Sequence, residues 1–250
     1  MQKRYKILIL LLWLGCLKTE KTIAQYSKLN ERVANLPNFD NKFIHYGYFI
    51  GINQYDFKID YTREYYTRQN YKDIVVDKKS GFNVGLIGSL RINEFVNLRI
   101  EPGLYYSTRD LIYPGYIEFT KESDQLREIK STYIRFPLLL KISTRRINNV
   151  RPYLIGGISA ELNLSSNQKN IDDNFNNVFR TTSKNLSYEL GFGIDLYLNY
   201  FKFSPSIRGI FSMRNELIPD NPTQNGIESP WTGKILKMLS RGFAINFTFE

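Results

Sequence analysis

The chain has 250 residues, of which 42% are hydrophobic and 15% aromatic, with a formal net charge of +10 and a mean hydropathy of −0.35. That length suits one large all-β domain, and the low hydropathy excludes a bundle of transmembrane helices. It leaves room for a membrane barrel, in which only alternate residues need be apolar.

Met1–Lys6 is basic, through Lys3, Arg4 and Lys6, and Ile7–Leu17 is an apolar run too short to cross a bilayer of about 30 Å as a helix. With the small-residue exit Ile23-Ala24-Gln25, this predicts a signal peptide over residues 1–25, cut between Ala24 and Gln25. Two other readings stay open: a membrane anchor, and a lipoprotein signal ending at Leu14-Gly15-Cys16, for which Trp13 is a poor residue. Residues 1–25 carry five Lys or Arg and one Glu, which leaves about +6 on the remainder. Those charges are not gathered on one segment, which speaks against nucleic acid as a partner. Cys16 is the single cysteine, so beyond the signal there is no disulfide, thiol chemistry or cysteine metal site. Residues 26–43 read as a periplasmic lead segment, with Leu29, Val33 and Leu36 at helical spacing. An amphipathic turn or two and a disordered lead-in are both compatible with it.

From Ile44 on, apolar and polar residues alternate. Ile44, Tyr46, Tyr48, Ile50 and Ile52 open the first strand, and Phe82–Ile92 and Leu98–Arg109 follow with the same period. Next come Ile134–Ile142, Leu154–Leu162, Leu186–Leu198, Phe201–Phe211 and Phe243–Phe249. The links alternate as well. Residues 57–80, 112–130, 163–184 and 213–239 are long, whereas Asn93–Val96, Thr144–Val150 and Asn199–Tyr200 are short. This predicts an eight-stranded antiparallel transmembrane β-barrel over residues 44–250, with short periplasmic turns and long extracellular loops. It places the protein in the outer membrane of a Gram-negative bacterium, with outer-membrane lipid as its first partner.

A soluble barrel has the same period, with the apolar side chains inside. Three features choose the membrane. The face opposite the apolar one mixes glycine and serine with both charge signs: Arg91, Arg99, Glu101, Arg109, Arg135, Lys141, Glu161, Glu189, Asp195, Lys202 and Arg208. The apolar faces are almost free of charge, as hydrocarbon requires. Tyr and Phe recur near strand ends, where an aromatic girdle lies. Pro102, Pro137 and Pro205 stand against the assignment, since each removes a ladder hydrogen bond; bulges or register breaks are the expected accommodation.

The chemistry for an enzyme is missing. His45 is the lone histidine and falls at the periplasmic end of the first strand, so no rim triad can be assembled, and it reads as a hydrogen-bonded lumen or turn residue. Asp172, Asp173 and Asn174 lack EF-hand spacing and a closing Glu, and read as a solvated loop rather than a calcium site. Glu101, Glu161, Glu189 and Asp195 face more numerous inward Arg and Lys, which favours ion-paired packing over a glycosidase-like pair. No glycine loop sits between a strand and a helix to hold phosphate. No catalytic, cofactor-binding or metal-binding residue is assigned, no cofactor or small-molecule substrate is implied, and partner-binding residues are unknown. The long loops are where a partner would bind. Tyr61, Tyr65, Tyr66 and Tyr71 lie among Arg63, Arg68 and Lys72 in the first. Trp231 in the last is a candidate anchor, with girdle or loop packing as the alternative.

Tyr133–Lys141 and Arg151–Gly157 together resemble the broad outer-membrane β-barrel family. Asp172-Asp173-Asn174-Phe175, Phe203–Gly209, Ser229-Pro230-Trp231-Thr232-Gly233 and Asn246–Glu250 are similar to the PorT/SprT family, over most of the chain beyond residue 25. That resemblance implies a non-enzymatic component of type IX protein secretion, and of gliding motility in gliding species, working as a scaffold with other secretion-system subunits. It carries over no catalytic or binding residues. A small porin-like channel and a surface adhesin are the alternatives.

Overall fold

The structure is a computed structural model, and it describes residues 34–67, 72–114, 119, 121–221 and 229–250; the predicted signal peptide lies outside them. Ten strands form one antiparallel sheet: β1 (Ile44–Tyr61), β2 (Val75–Lys78), β3 (Ser80–Arg91), β4 (Val96–Ile100), β5 (Gly103–Ile112), β6 (Leu126–Ser143), β7 (Val150–Asn163), β8 (Lys184–Tyr197), β9 (Lys202–Ser212) and β10 (Ile235–Phe249). β1 pairs with both β3 and β10, which closes the sheet on itself. β4 and β5 share one stave of the wall, each lying between β3 and β6, and β2 continues β3 past Lys79. The ring therefore has eight staves.

The accessibility pattern is that of a barrel turned inside out relative to a soluble one. Tyr46, Leu86, Leu154 and Leu190 point outward and are 74%, 65%, 62% and 67% exposed, while Arg99, Glu101, Arg109, Arg135 and Arg208 point inward and are 0–1% exposed. Both follow from strand geometry, which sends successive side chains to opposite faces. Water cannot wet the outer face at this density of Leu, Ile, Val and Phe; hydrocarbon can. Stacked aromatic pairs mark the two edges of the apolar band. Tyr48–Phe249 (5.2 Å between centroids) lies toward the short-turn end, and Phe82–Tyr106 (5.6 Å) and Tyr188–Phe211 (5.1 Å) toward the long-loop end.

The three short turns fall where expected. At the first, Asn93 Oδ1 accepts from the amides of Phe95 and Val96, both at 2.8 Å, which fixes the chain reversal. At the other end, three strands outrun the expectation: β1 and β6 have 18 residues each and β10 has 15, against about 9–11 needed to cross a bilayer. The surplus lies beyond the apolar band, where the solvent outside is water. There the pattern inverts. On β1 the apolar residues move from Ile44–Ile52 on the outside to Tyr55 and Phe57 on the inside, and Asp56, Lys58 and Asp60 take the outer face. On β6 the same flip separates inward Ile129 from outward Ile134 and Phe136. A single alternation ends at the flip, so the long links are narrower than the sequence predicts and β2 lies within one of them.

The prolines are accommodated without the expected slip at one site. Glu101-Pro102 interrupts the β4/β5 stave, yet Ile100 pairs with Leu138 before the gap and Gly103 with Arg135 after it. Register is thus continuous, and the break is a lapse in the ladder opposite Pro137, bridged by the Glu101 amide on the Pro137 carbonyl at 3.4 Å. Pro137 and Pro205 stay inside β6 and β9. A real one-residue slip occurs elsewhere, at Lys79: Lys78 pairs with Arg109, whereas Phe82 pairs with Tyr106. That bulge turns β2 onto β5.

Candidate functional site

The lumen carries the chain's densest chemistry. Starting at the short-turn end, Lys202 Nζ meets Glu250 at 2.6 Å, Glu250 meets Arg99 at 3.0 Å, and Arg99 meets Glu101 at 2.9 Å. Glu101 also receives a two-pronged bond from Arg208, at 2.5 and 3.1 Å. Arg208 faces Glu189 at 3.8 Å; Arg135 joins Glu189 at 3.1 Å and Glu161 at 2.7 Å. To one side, Lys141 Nζ sits 2.7 Å from both oxygens of Asp195, which also accepts from Ser204 at 2.6 Å. These groups come from six staves, so the ladder ties the wall together across the lumen. Eight staves leave an interior that side chains just fill, and here cation and anion alternate through it. The glycines follow from that crowding: a Cβ on Gly85 would lie 2.6 Å from the Phe49 ring.

These charges are buried, and two of them lie against rings. Arg135 is stacked 4.8 Å over Tyr105, and Lys141 lies 3.8 Å over Tyr153. Buried charges of this kind need partners, because ionised groups left unpaired in a low-dielectric interior cost several kcal/mol each. The expectation of ion-paired packing for Glu101, Glu161, Glu189 and Asp195 matches this arrangement.

The short-turn mouth is closed by the chain's own lead residues. Asp40 meets Arg151 at 3.2 Å and accepts from the Tyr197 hydroxyl at 2.6 Å. Asn35 bonds to Asn149 and to the Tyr197 carbonyl, and Arg146 donates to the Asn35 carbonyl. His45 is buried under this strap, its Nε2 2.8 Å from the Phe39 carbonyl and its ring 4.4 Å from the Phe39 ring. The cavity left between Phe39, His45, Arg91, Lys141 and Lys202 is about 20 Å³, room for about one water.

At the long-loop end the opening is filled by a hydrophobic cap of Phe57, Ile74, Leu111, Tyr113, Phe119, Ile129, Phe179, Leu217, Trp231, Ile235 and Met238. Trp231 is 7% exposed. Its Nε1 donates to the Asp124 carbonyl at 2.9 Å, Phe119 stacks on it at 5.2 Å, and Arg127 lies 4.6 Å over its ring. These contacts are those of the loop-packing alternative. Tyr65 is buried too, stacked 4.1 Å on Tyr61, whose hydroxyl accepts from the Ile74 amide. Arg68, Tyr71 and the Tyr66 side chain lie outside the described residues.

Asp220, in the link between β9 and β10, organises the cap. It accepts from Asn174 Nδ2 at 2.9 Å, Ser229 Oγ at 2.5 Å and Thr232 Oγ1 at 2.9 Å. Asp173 in turn accepts from the amides of Phe175 and Asn221, both at 3.0 Å. The Asp172–Phe175 and Ser229–Gly233 segments are thereby clasped to one another. Beneath them Glu216 reaches into the barrel and accepts from Asn185 (2.6 Å), Ser240 (2.8 Å) and Tyr133 (3.1 Å). Burial pushes its carboxyl above the usual range, against the pull of Arg109.

Among solved structures, the chain aligns with Neisserial surface protein A at 7% identity (83% of this chain, 98% of the other, TM-score 0.44). It aligns with the outer membrane protein OprG of Pseudomonas aeruginosa at 16% (83%, 93%, 0.40) and with the N-terminal β-barrel domain of Pseudomonas aeruginosa OprF at 10% (83%, 100%, 0.32). All three scores fall below 0.5. No curated protein sequence matches the chain significantly. The assignment is carried by a family model, described as the outer membrane protein beta-barrel domain, that matches residues 23–217. With most of the chain under that match, and with an apolar exterior around a charged lumen, the protein belongs to the outer membrane protein beta-barrel family and resides in the outer membrane.

Proposed function

We propose that this barrel is a non-conducting, non-enzymatic scaffold of the outer membrane that serves type IX protein export. The observation that carries the scaffold reading is the filled interior. A charge ladder occupies the lumen, the lead residues close the periplasmic mouth and a hydrophobic cap fills the extracellular one. A porin-like channel needs an open path, and a rim enzyme needs an accessible reactive group. The export reading is supported by the resemblance to the PorT/SprT family. Two of the segments that carry it, Asp172–Phe175 and Ser229–Gly233, meet at Asp220. Other secretion-system subunits would be the partners.

The test is deletion of the gene, with comparison of the proteins released into the medium. Cargo accumulating in the periplasm behind an intact outer membrane supports export. An unchanged secretome refutes it, and lost surface attachment in that strain would point to an adhesin. Discrete conductance steps from the purified barrel in a planar bilayer would refute the scaffold reading.

A further inference from the structure

Above the apolar band the outer face of the wall turns polar, and its charges are shared unevenly around the ring. Beside β2, β5 and β6, cations and carboxylates neutralise one another: Lys79 Nζ meets Asp110 at 2.7 Å and Glu128 at 3.8 Å, and Lys130 meets Glu128 at 2.9 Å. Across β8, β10 and β1, cations are in excess. The outward rows there set Lys184, Lys237, Arg241 and Lys58 against Asp56 and Asp60. Asp56 is moreover shared, between Arg241 at 2.8 Å and Lys78 at 3.2 Å, and Asp60 lies 3.8 Å from Lys58. Lys184 and Lys237 form no ion pair among the described residues.

Register arranges these groups in ranks across the strands. Tyr188 lies against Phe211, Phe211 against Arg241 and Arg241 against Asp56. Outward residues recur at every second position, so the next rank up is Leu186, Met213, Leu239 and Lys58. It is tied by the Met213 amide on the Leu186 carbonyl at 2.8 Å and by the Leu239–Lys58 pairing. The rank above that brings Lys184 level with Lys237, which pairs with Asp60. Lys184 and Lys237 are two strand spacings apart, about 10 Å. The stacked Tyr188 and Phe211 rings mark the edge of the hydrocarbon. Two ranks up along tilted strands is about 10 Å beyond that edge, which is headgroup depth. Below the edge the same sector is faced by exposed Leu190, Ile207 and Phe243.

We infer that this sector binds the phosphate-bearing headgroup of an outer-leaflet glycolipid, with the acyl chains laid along Leu190, Ile207 and Phe243. The family puts the wall in the outer membrane, and the long-loop end meets the leaflet whose glycolipid carries phosphates on its sugars. Unneutralised cations directly above an apolar face are the combination that holds an anionic lipid, since charge attraction adds to the burial of its chains. A divalent ion bridging phosphates to the wall would need unoccupied carboxylates, and here Asp56 and Asp60 already face cations. The balanced side of the ring offers a phosphate no net attraction. The inference rests on residence in the outer membrane and does not depend on the export reading.

The test is lipid binding by the full barrel in nanodiscs of zwitterionic phospholipid, read by native mass spectrometry. The probes are diphosphorylated lipid A, the same lipid stripped of its phosphates, and phosphatidylglycerol. Saturable binding of the phosphorylated lipid A is expected, with affinity falling about tenfold or more when its phosphates are removed or when Lys184→Gln and Lys237→Gln are combined. Lys184→Arg with Lys237→Arg should restore it. Lys79→Gln with Lys130→Gln, on the balanced side and beyond a Debye length, should change it by less than about twofold. These side chains face outward above the band, so heat-modifiable migration of every variant should match that of the parent barrel. The inference is overturned by binding that does not saturate, by equal affinity for phosphate-free lipid A or phosphatidylglycerol, by no loss in the Lys184/Lys237 double variant, or by an equal loss in the Lys79/Lys130 one.

Discussion

Glu101 is fully buried and holds both Arg99 and Arg208, so it neutralises more than one cation of the lumen. Replacing it with alanine strands two guanidinium groups, and the expected cost is about 3–5 kcal/mol, as for a broken buried pair. Urea unfolding of barrels refolded in detergent micelles reads this directly, and a loss well under 1 kcal/mol would remove the ladder's structural role. On the outer face the sign of the rule reverses. Leu190→Arg places a charge in hydrocarbon at a cost of about 2–4 kcal/mol, whereas Lys58→Leu, above the band, is expected to be near neutral. Glu216 gives a pH signature. Its carboxyl binds a proton more readily in the folded protein than in the unfolded chain, so its contribution is most favourable at low pH and is lost as pH rises past the unfolded value of about 4.3. The advantage of Glu216→Gln in unfolding midpoint should therefore grow from pH 5 to pH 8; an advantage that shrinks over that range would contradict the burial argument.

At the scale of elements, the clasp between the two longest loops is separable from the barrel that carries it. Asp220→Ala removes the acceptor shared by Asn174, Ser229 and Thr232, and Trp231→Ala hollows the cap, at about 3–5 kcal/mol for a buried aromatic. Both variants should become sensitive to external protease between residues 163 and 234 while the transmembrane staves stay protected. Uniform resistance would mean that the loops are held by something other than this clasp. The short turns and the parity of Arg99, Arg135, Lys141, Glu189, Asp195 and Arg208 could be read from the amino acids, because in hydrocarbon a single misplaced charge is costly and the pattern is strict. The upper halves of β1, β6 and β10 could not. Tyr55 and Phe57 continue the strand of Ile50 and Ile52 in the opposite phase, and a search for one alternation treats the flip as an end. The flip itself is visible in hindsight, as Ile52 to Tyr55 and Ile129 to Ile134. Asp220 and the Asn174 clasp had no local signature, since their partners are distant in sequence.

The whole molecule is a wall whose interior bonds join residues far apart in the chain. Arg208 and Glu101 are 107 positions apart, and Lys141 and Asp195 are 54 apart. Some inward charges find a partner within one hairpin, as Arg135 does in Glu161, but these long-range pairs do not. A half-closed barrel would keep the local pairs Arg99–Glu101 and Arg135–Glu161 but would hold Arg208 beside lipid tails without Glu101, a state with no favourable solvent on either side. Closure is thus all-or-none, and so is opening. The pairs that span distant staves form only when the ring closes, so the protein's persistence in the membrane is expected to depend on how rarely the ring is breached.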